Sequence, residues 1–201
     1  MLLALVSVCA TAAPIDLVAL WNQVDEWKID AKTSQVSSDD PCAKGAVAEI
    51  DLPNLFIAID GAAGPSCEEK QRTELTVFTR RGKGGDPLLV RSTYGLYDRK
   101  VDAWHLTGGK LVEAPAVLEP IRGARLLPKE LQRDGVDVER LEATYVLPQK
   151  GTTVLIKVKE LGGPCKGLEP APAVCAPAAA KKGLTVRAKW NAQEGRFELK
   201  P

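Results

Sequence analysis

The chain of 201 residues is long enough to bury a core and short enough to form one domain. With 45% hydrophobic and 26% charged residues, and with 17 glycines and 14 prolines, its composition excludes wholesale disorder and collagen-like repeats. Its 27 basic and 26 acidic side chains leave a net charge of +1, which argues against a dedicated nucleic-acid binder with a concentrated basic excess.

The first residues, Met1 to Val8, are apolar apart from Ser7, and Cys9 is followed by Ala10-Thr11-Ala12-Ala13-Pro14. An apolar run ending in an Ala-x-Ala pattern predicts a signal peptide over residues 1–12, cut after Ala12, leaving residues 13–201 as a single domain. No Lys or Arg precedes the run, a feature that a start codon further upstream would supply. The run stops at Asp16, short of the about 20 residues a membrane-spanning helix needs, so no transmembrane segment is expected. Lipid anchoring through Cys9 is disfavoured because Val8 stands where a small residue belongs.

Removing residues 1–12 takes Cys9 away and leaves Cys42, Cys67, Cys165 and Cys175, an even number that suits a disulfide framework in an oxidising compartment. Four cysteines allow three pairings. The nearest-neighbour set, Cys42 with Cys67 and Cys165 with Cys175, makes the smallest topological demand. A metal site is disfavoured, since there is no Cys-x-x-Cys and His105 is the only histidine.

Asp16 reads as a helix N-cap, with Ile15 and Leu20 placed to form a hydrophobic staple. Leu17, Leu20, Trp21, Val24 and Trp27 recur at helical spacing and predict an amphipathic helix from about Leu17 to Lys28, laid across a sheet. The polar segment Thr33 to Lys44 reads as a loop. Strands are then expected at Ala46–Leu52, Leu55–Asp60, Thr73–Arg80, Leu88–Tyr94, Val101–Leu106, Lys110–Glu113, Leu141–Leu147, Thr152–Glu160, Leu184–Trp190 and Arg196–Lys200. The alternation of Leu184, Val186, Ala188 and Trp190 with Thr185, Arg187 and Lys189 marks one buried and one wet face, the pattern of an antiparallel sheet. Gly108-Gly109, Pro148 to Gly151 and Asn191 to Gly195 suit hairpin turns. Residues 113–140, with Pro115, Pro120 and Pro128 and a short helical turn at Lys129 to Arg133, read as a long crossing connection, and 162–183 as a mobile loop based on the second cysteine pair. The expected fold is mainly β, bordering on α+β: an antiparallel sheet, sandwich or barrel-like domain carrying one N-terminal helix.

Common catalytic signatures are missing: there is no His-Glu-x-x-His, no Gly-x-Ser-x-Gly, no Ser-x-x-Lys and no complete phosphate-binding loop, and no cofactor is implied. His105 is the one side chain suited to serve as a base near neutral pH, and it is read as a strand residue sharing a face with Val101 and Ala103. Arg80, Arg81 and Lys83 form a basic turn able to meet an anionic polymer. Tyr94, Tyr97 and Trp104, interleaved with Arg91 and Arg99, would suit a carbohydrate or peptide platform. Glu68, Glu69, Asp98 and Asp102 are the carboxylates that a glycosidase pair could draw on. These features predict a periplasmic or secreted, non-enzymatic binding protein whose partner is an envelope or extracellular protein or polymer. The alternatives are a small extracytoplasmic hydrolase using His105 or a carboxylate pair, and a structural envelope component.

Overall fold

A computed structural model describes residues 15–80, 85–95, 99–127, 142–159 and 184–200. The expected signal peptide with Cys9, the residues Arg81, Lys83, Tyr97 and Asp98, the turn expected at Lys129 to Arg133, and the loop expected at 162–183 with Cys165 and Cys175 lie outside the described residues.

The described residues begin with helix α1 (Leu17–Val24), where the Asp16 carboxylate accepts the Ala19 N–H at 3.0 Å. The helix ends one turn earlier than its apolar stripe suggests. Asp25 is extended, at φ −123° and ψ 151°, and its carboxylate takes the N–H of Trp27, so the backbone leaves the helix before Trp27 is reached. Trp27 still packs in the same cluster as Leu17, Leu20 and Trp21, now from an extended segment. That segment is β1 (Lys28–Ile29), paired with β2 (Val36–Ser37) inside the stretch expected to be a loop. Strands of two residues are too short to show a period in sequence.

Six strands then form an antiparallel meander: β3 (Val47–Asp51), β4 (Phe56–Ala63), β5 (Glu69–Phe78), β6 (Leu88–Gly95), β7 (Arg99–Thr107) and β8 (Lys110–Glu113). A second antiparallel sheet holds β9 (Glu142–Val146), β10 (Thr153–Lys159), β11 (Leu184–Asn191) and β12 (Arg196–Lys200) in the order β12-β11-β10-β9. Neither sheet closes on itself. All ten strands read from periodicity are present, and the β7–β8 hairpin turns on Gly108 and Gly109, both at positive φ as a two-residue type I′ turn requires.

The six-stranded sheet is buried on both faces, which explains why Phe56-Ile57-Ala58-Ile59 is a continuous apolar run instead of an alternation. One face packs against α1 through Ile57, Ile59, Leu75 and Leu89. The other packs against the second sheet, where Phe78, Trp190 and Phe197 meet with ring centroids 5.1 to 5.7 Å apart. Short 3-10 segments at Pro115–Ile121 and Gly123–Leu126 carry the chain between the sheets and bury Leu118, Ile121 and Leu126 in the same core. Gly61 in β4 is explained by the ring of Trp27, whose carbons would lie 2.2 and 2.4 Å from any Cβ added there.

Cys42 and Cys67 are disulfide-bonded, with S–S 2.01 Å, tying the Pro41–Ala43 turn to the connection between β4 and β5.

Candidate functional site

Strand β9 runs across the six-stranded sheet instead of along it. Glu142 pairs with Arg99 on β7, the Tyr145 carbonyl accepts from Ser92 on β6, the Leu147 N–H donates to Glu74 on β5, and Gln149 donates to Glu49 and Asp51 on β3. Successive residues of β9 and of the turn that follows it therefore meet four different strands of the other sheet, a crossed packing of the two layers. Beyond β9 none of the described residues covers the end of the six-stranded sheet. The result is a corner groove of about 640 Å³, with Asp60, Arg72, Tyr94 and Arg99 on its floor and Thr144, Val146 and Lys157 on its wall.

The floor is built on Glu74, which is 2% exposed. Strand parity places Glu74 with Arg72, Thr76 and Phe78 on the side facing the second sheet, so its carboxylate cannot reach open water. It is satisfied from within the protein: Arg72 Nε and Tyr94 Oη donate to Oε1, each at 2.8 Å, and the Leu147 N–H donates to Oε2 at 2.7 Å. Arg72 also pairs with Asp60 and Glu49. Burial by itself would lower the pKa of Arg72, but its bonds to Glu74 and Asp60 outweigh that and hold it above the ordinary value. Burial, and then the charge of Glu74, raise the Tyr94 hydroxyl, which stays a protonated donor. Arg72, Arg99 and Tyr94 are thus fixed by partners, while Lys70, Lys157, Glu68 and Glu69 line the groove without an ion pair among the described residues. Such a surface can offer an aromatic ring and charges of both signs to a polar ligand.

Of the residues singled out from sequence, Tyr94 lies in this groove and Trp104 does not. Trp104 is on the opposite, helix-facing side of the same sheet, where its ring lies 5.6 Å from the Arg91 guanidinium carbon. Arg91 in turn pairs with Asp25 and Asp102 and donates to the Val24 carbonyl at the end of α1. The Trp104–Arg91 pair thus belongs to the packing of the helix on the sheet, and Tyr94 and Trp104 cannot share one platform. Beside that packing a smaller cavity of about 360 Å³ is lined by Trp27, Asp40, Arg91, Thr93 and Lys100. Asp102 stands opposite Arg91, which stands opposite Leu75, six residues along β5 from Glu69, so Asp102 does not converge with Glu68 and Glu69. His105 shares the face of Val101 and Ala103, and its Nδ1 is buried with no hydrogen-bond partner among the described residues. Arg80 donates to the Glu194 carbonyl and lies over Gly195 in the β11–β12 turn. No group of three or more metal-ligating side chains occurs among the described residues.

Glu74, the residue on which the groove is built, has no signal in the sequence beyond its place in a strand. Its partner Leu147 is 73 positions further along the chain.

Fold and site together define a layered antiparallel β protein carrying a helix on one face and an open polar groove where its two sheets cross. No family model and no curated protein matches the chain. A solved structure, described as a domain of an uncharacterized protein from Porphyromonas gingivalis W83, is similar over 77% of this chain and 74% of that one, with 14% identity and a TM-score of 0.47. Similarity at that level assigns nothing to this chain.

Proposed function

We propose that the protein is an extracytoplasmic, non-enzymatic binding protein and that its ligand, a polar molecule, seats in the corner groove. The observation that carries this reading is the Glu74 network, which holds Arg72 and Tyr94 in place on rigid strands, so that little ordering is left to oppose binding. The Cys42–Cys67 disulfide supports an oxidising compartment.

The test is native mass spectrometry of the protein after exposure to the small-molecule and oligosaccharide fraction of its native surroundings. A Thr144→Trp variant fills the groove from its wall without touching the Glu74 network. The expected result is a bound species that is retained by the wild type and by His105→Ala, is released chemically unchanged, and is lost from Thr144→Trp while the melting temperature holds. Equal retention by Thr144→Trp, or release of a cleaved product, would overturn the reading.

A further inference from the structure

The outer face of the four-stranded sheet, the side turned away from the core, carries charge out of proportion to the rest of the molecule. Residues 142–159 and 184–200 contain seven lysines and arginines against three glutamates, whereas the whole chain is balanced at 27 and 26. Strand parity sends Val154, Ile156, Val158, Val186, Ala188 and Phe197 inward and leaves Lys157, Arg187, Lys189, Arg196 and Lys200 outward, together with Glu198, which stands opposite Lys189. Of these, Lys157, Arg187 and Lys189 are exposed and have no ion pair among the described residues, while Arg196 and Lys200 pair with Glu194 and Glu198.

The register adds a second observation. Arg187 stands directly opposite Lys200 on the neighbouring strand. Like charges in that position destabilise a sheet, so the pair is kept at a cost to the fold. Half-buried Leu155 and Val146 lie in the same cross-strand row, giving the face a small apolar centre among its cations.

We infer that this face docks on the surface of an anionic phospholipid bilayer. Its cations are spread over three strands, with about 4.8 Å between strands and about 6.6 Å between same-side neighbours along a strand, and so form a planar array. Four short strands span only about 15 Å, a patch well below the about 800 Å² per partner of a stable protein interface. A plane of phosphate headgroups matches both the charge and the flatness, and the apolar centre can rest among the headgroups. The face borders the groove, since Lys157 and Val146 line both, but Arg187, Lys189, Arg196 and Lys200 lie outside the groove.

The experiment is co-sedimentation of the full chain with vesicles of phosphatidylcholine alone and of equal parts phosphatidylcholine and phosphatidylglycerol. Binding is expected only to the second, at 0.1 M salt, where screening acts over about 10 Å, and is expected to vanish at 1 M, where it acts over about 3 Å. Arg187→Glu removes one cation and neutralises Lys200 opposite it, and with each cation contributing about a factor of five, binding should weaken about twenty-five-fold without loss of thermal stability. Arg187→Gln should give about a fivefold loss and serves if Arg187→Glu does not fold. Arg187→Lys should bind like the wild type. Equal binding to both vesicles, no binding to either, or undiminished binding by Arg187→Gln would overturn the inference. So would capture of soluble polyphosphate without vesicle binding, which would make the partner a linear polyanion.

Discussion

At the scale of single residues the groove rests on a buried carboxylate both of whose oxygens accept hydrogen bonds. Glu74 accepts from a guanidinium, a phenol and a backbone amide that come from β5 itself, from β6 and from the end of β9. Glu74→Ala would strand the buried Leu147 amide and take the acceptor from the half-buried Tyr94 hydroxyl, whereas Arg72 would keep Asp60 and Glu49. At the usual penalty for an unsatisfied buried donor, the expected cost is about 2–4 kcal/mol in urea unfolding. A loss below about 1 kcal/mol would show that the network does not hold the crossing strands together. Sequence alternation does place Glu74 on the face of Thr76 and Phe78, and Tyr94 was recognisable as a candidate binding residue. That both serve one site depends on a strand that arrives more than fifty positions later.

At the scale of elements, local chemistry and tertiary contact divide the work. Asp16 starts α1 as an N-cap should, and Gly108-Gly109 turns the β7–β8 hairpin. The end of α1 follows a different rule: Asp25 is drawn into bonds with Trp27 and Arg91, and Arg91 lies on β6. The Pro41–Ala43 turn is fastened by the disulfide, whose cysteines are 25 residues apart. Closing a loop of that size contributes about 3 kcal/mol through the entropy of the unfolded chain. The double variant Cys42→Ser, Cys67→Ser should therefore unfold at lower denaturant, with stability reduced by about 3 kcal/mol. In the oxidised wild type neither sulfur should react with a thiol reagent. Equal stability of the two proteins, or ready labelling of Cys42 and Cys67 without reductant, would contradict the assignment.

At the scale of the whole molecule the two sheets share one core, and Tyr145 sits where they are joined. Its hydroxyl donates to the Ile121 carbonyl at 2.9 Å, and burial pushes its pKa up to about 12 from an ordinary 10. The folded protein therefore favours the protonated phenol. Its contribution is complete below pH 10 and is lost as the unfolded chain ionises ahead of the folded one, so global stability should fall between about pH 10 and 12 by up to about 3 kcal/mol. Tyr94 acts in the same direction. Urea unfolding across that window should show a shallower fall for Tyr145→Phe than for the wild type. Parallel curves would mean that Tyr145 is not the group responsible.

The same scale separates what sequence alone determined from what required the tertiary structure. The β-rich class, the ten longer strands and the capped helix follow from residues near one another in the chain, because side-chain alternation and turn conformation are local properties, whereas the sequence allowed three cysteine pairings and the structure gives Cys42–Cys67. The crossing of β9 over the larger sheet, the division of Tyr94 from Trp104, the burial of Glu74 and the gathering of cations on one outer face were decided only in three dimensions. Each depends on which sheet face is covered and by what, and that is set by packing between segments far apart in the chain, on which local periodicity is silent.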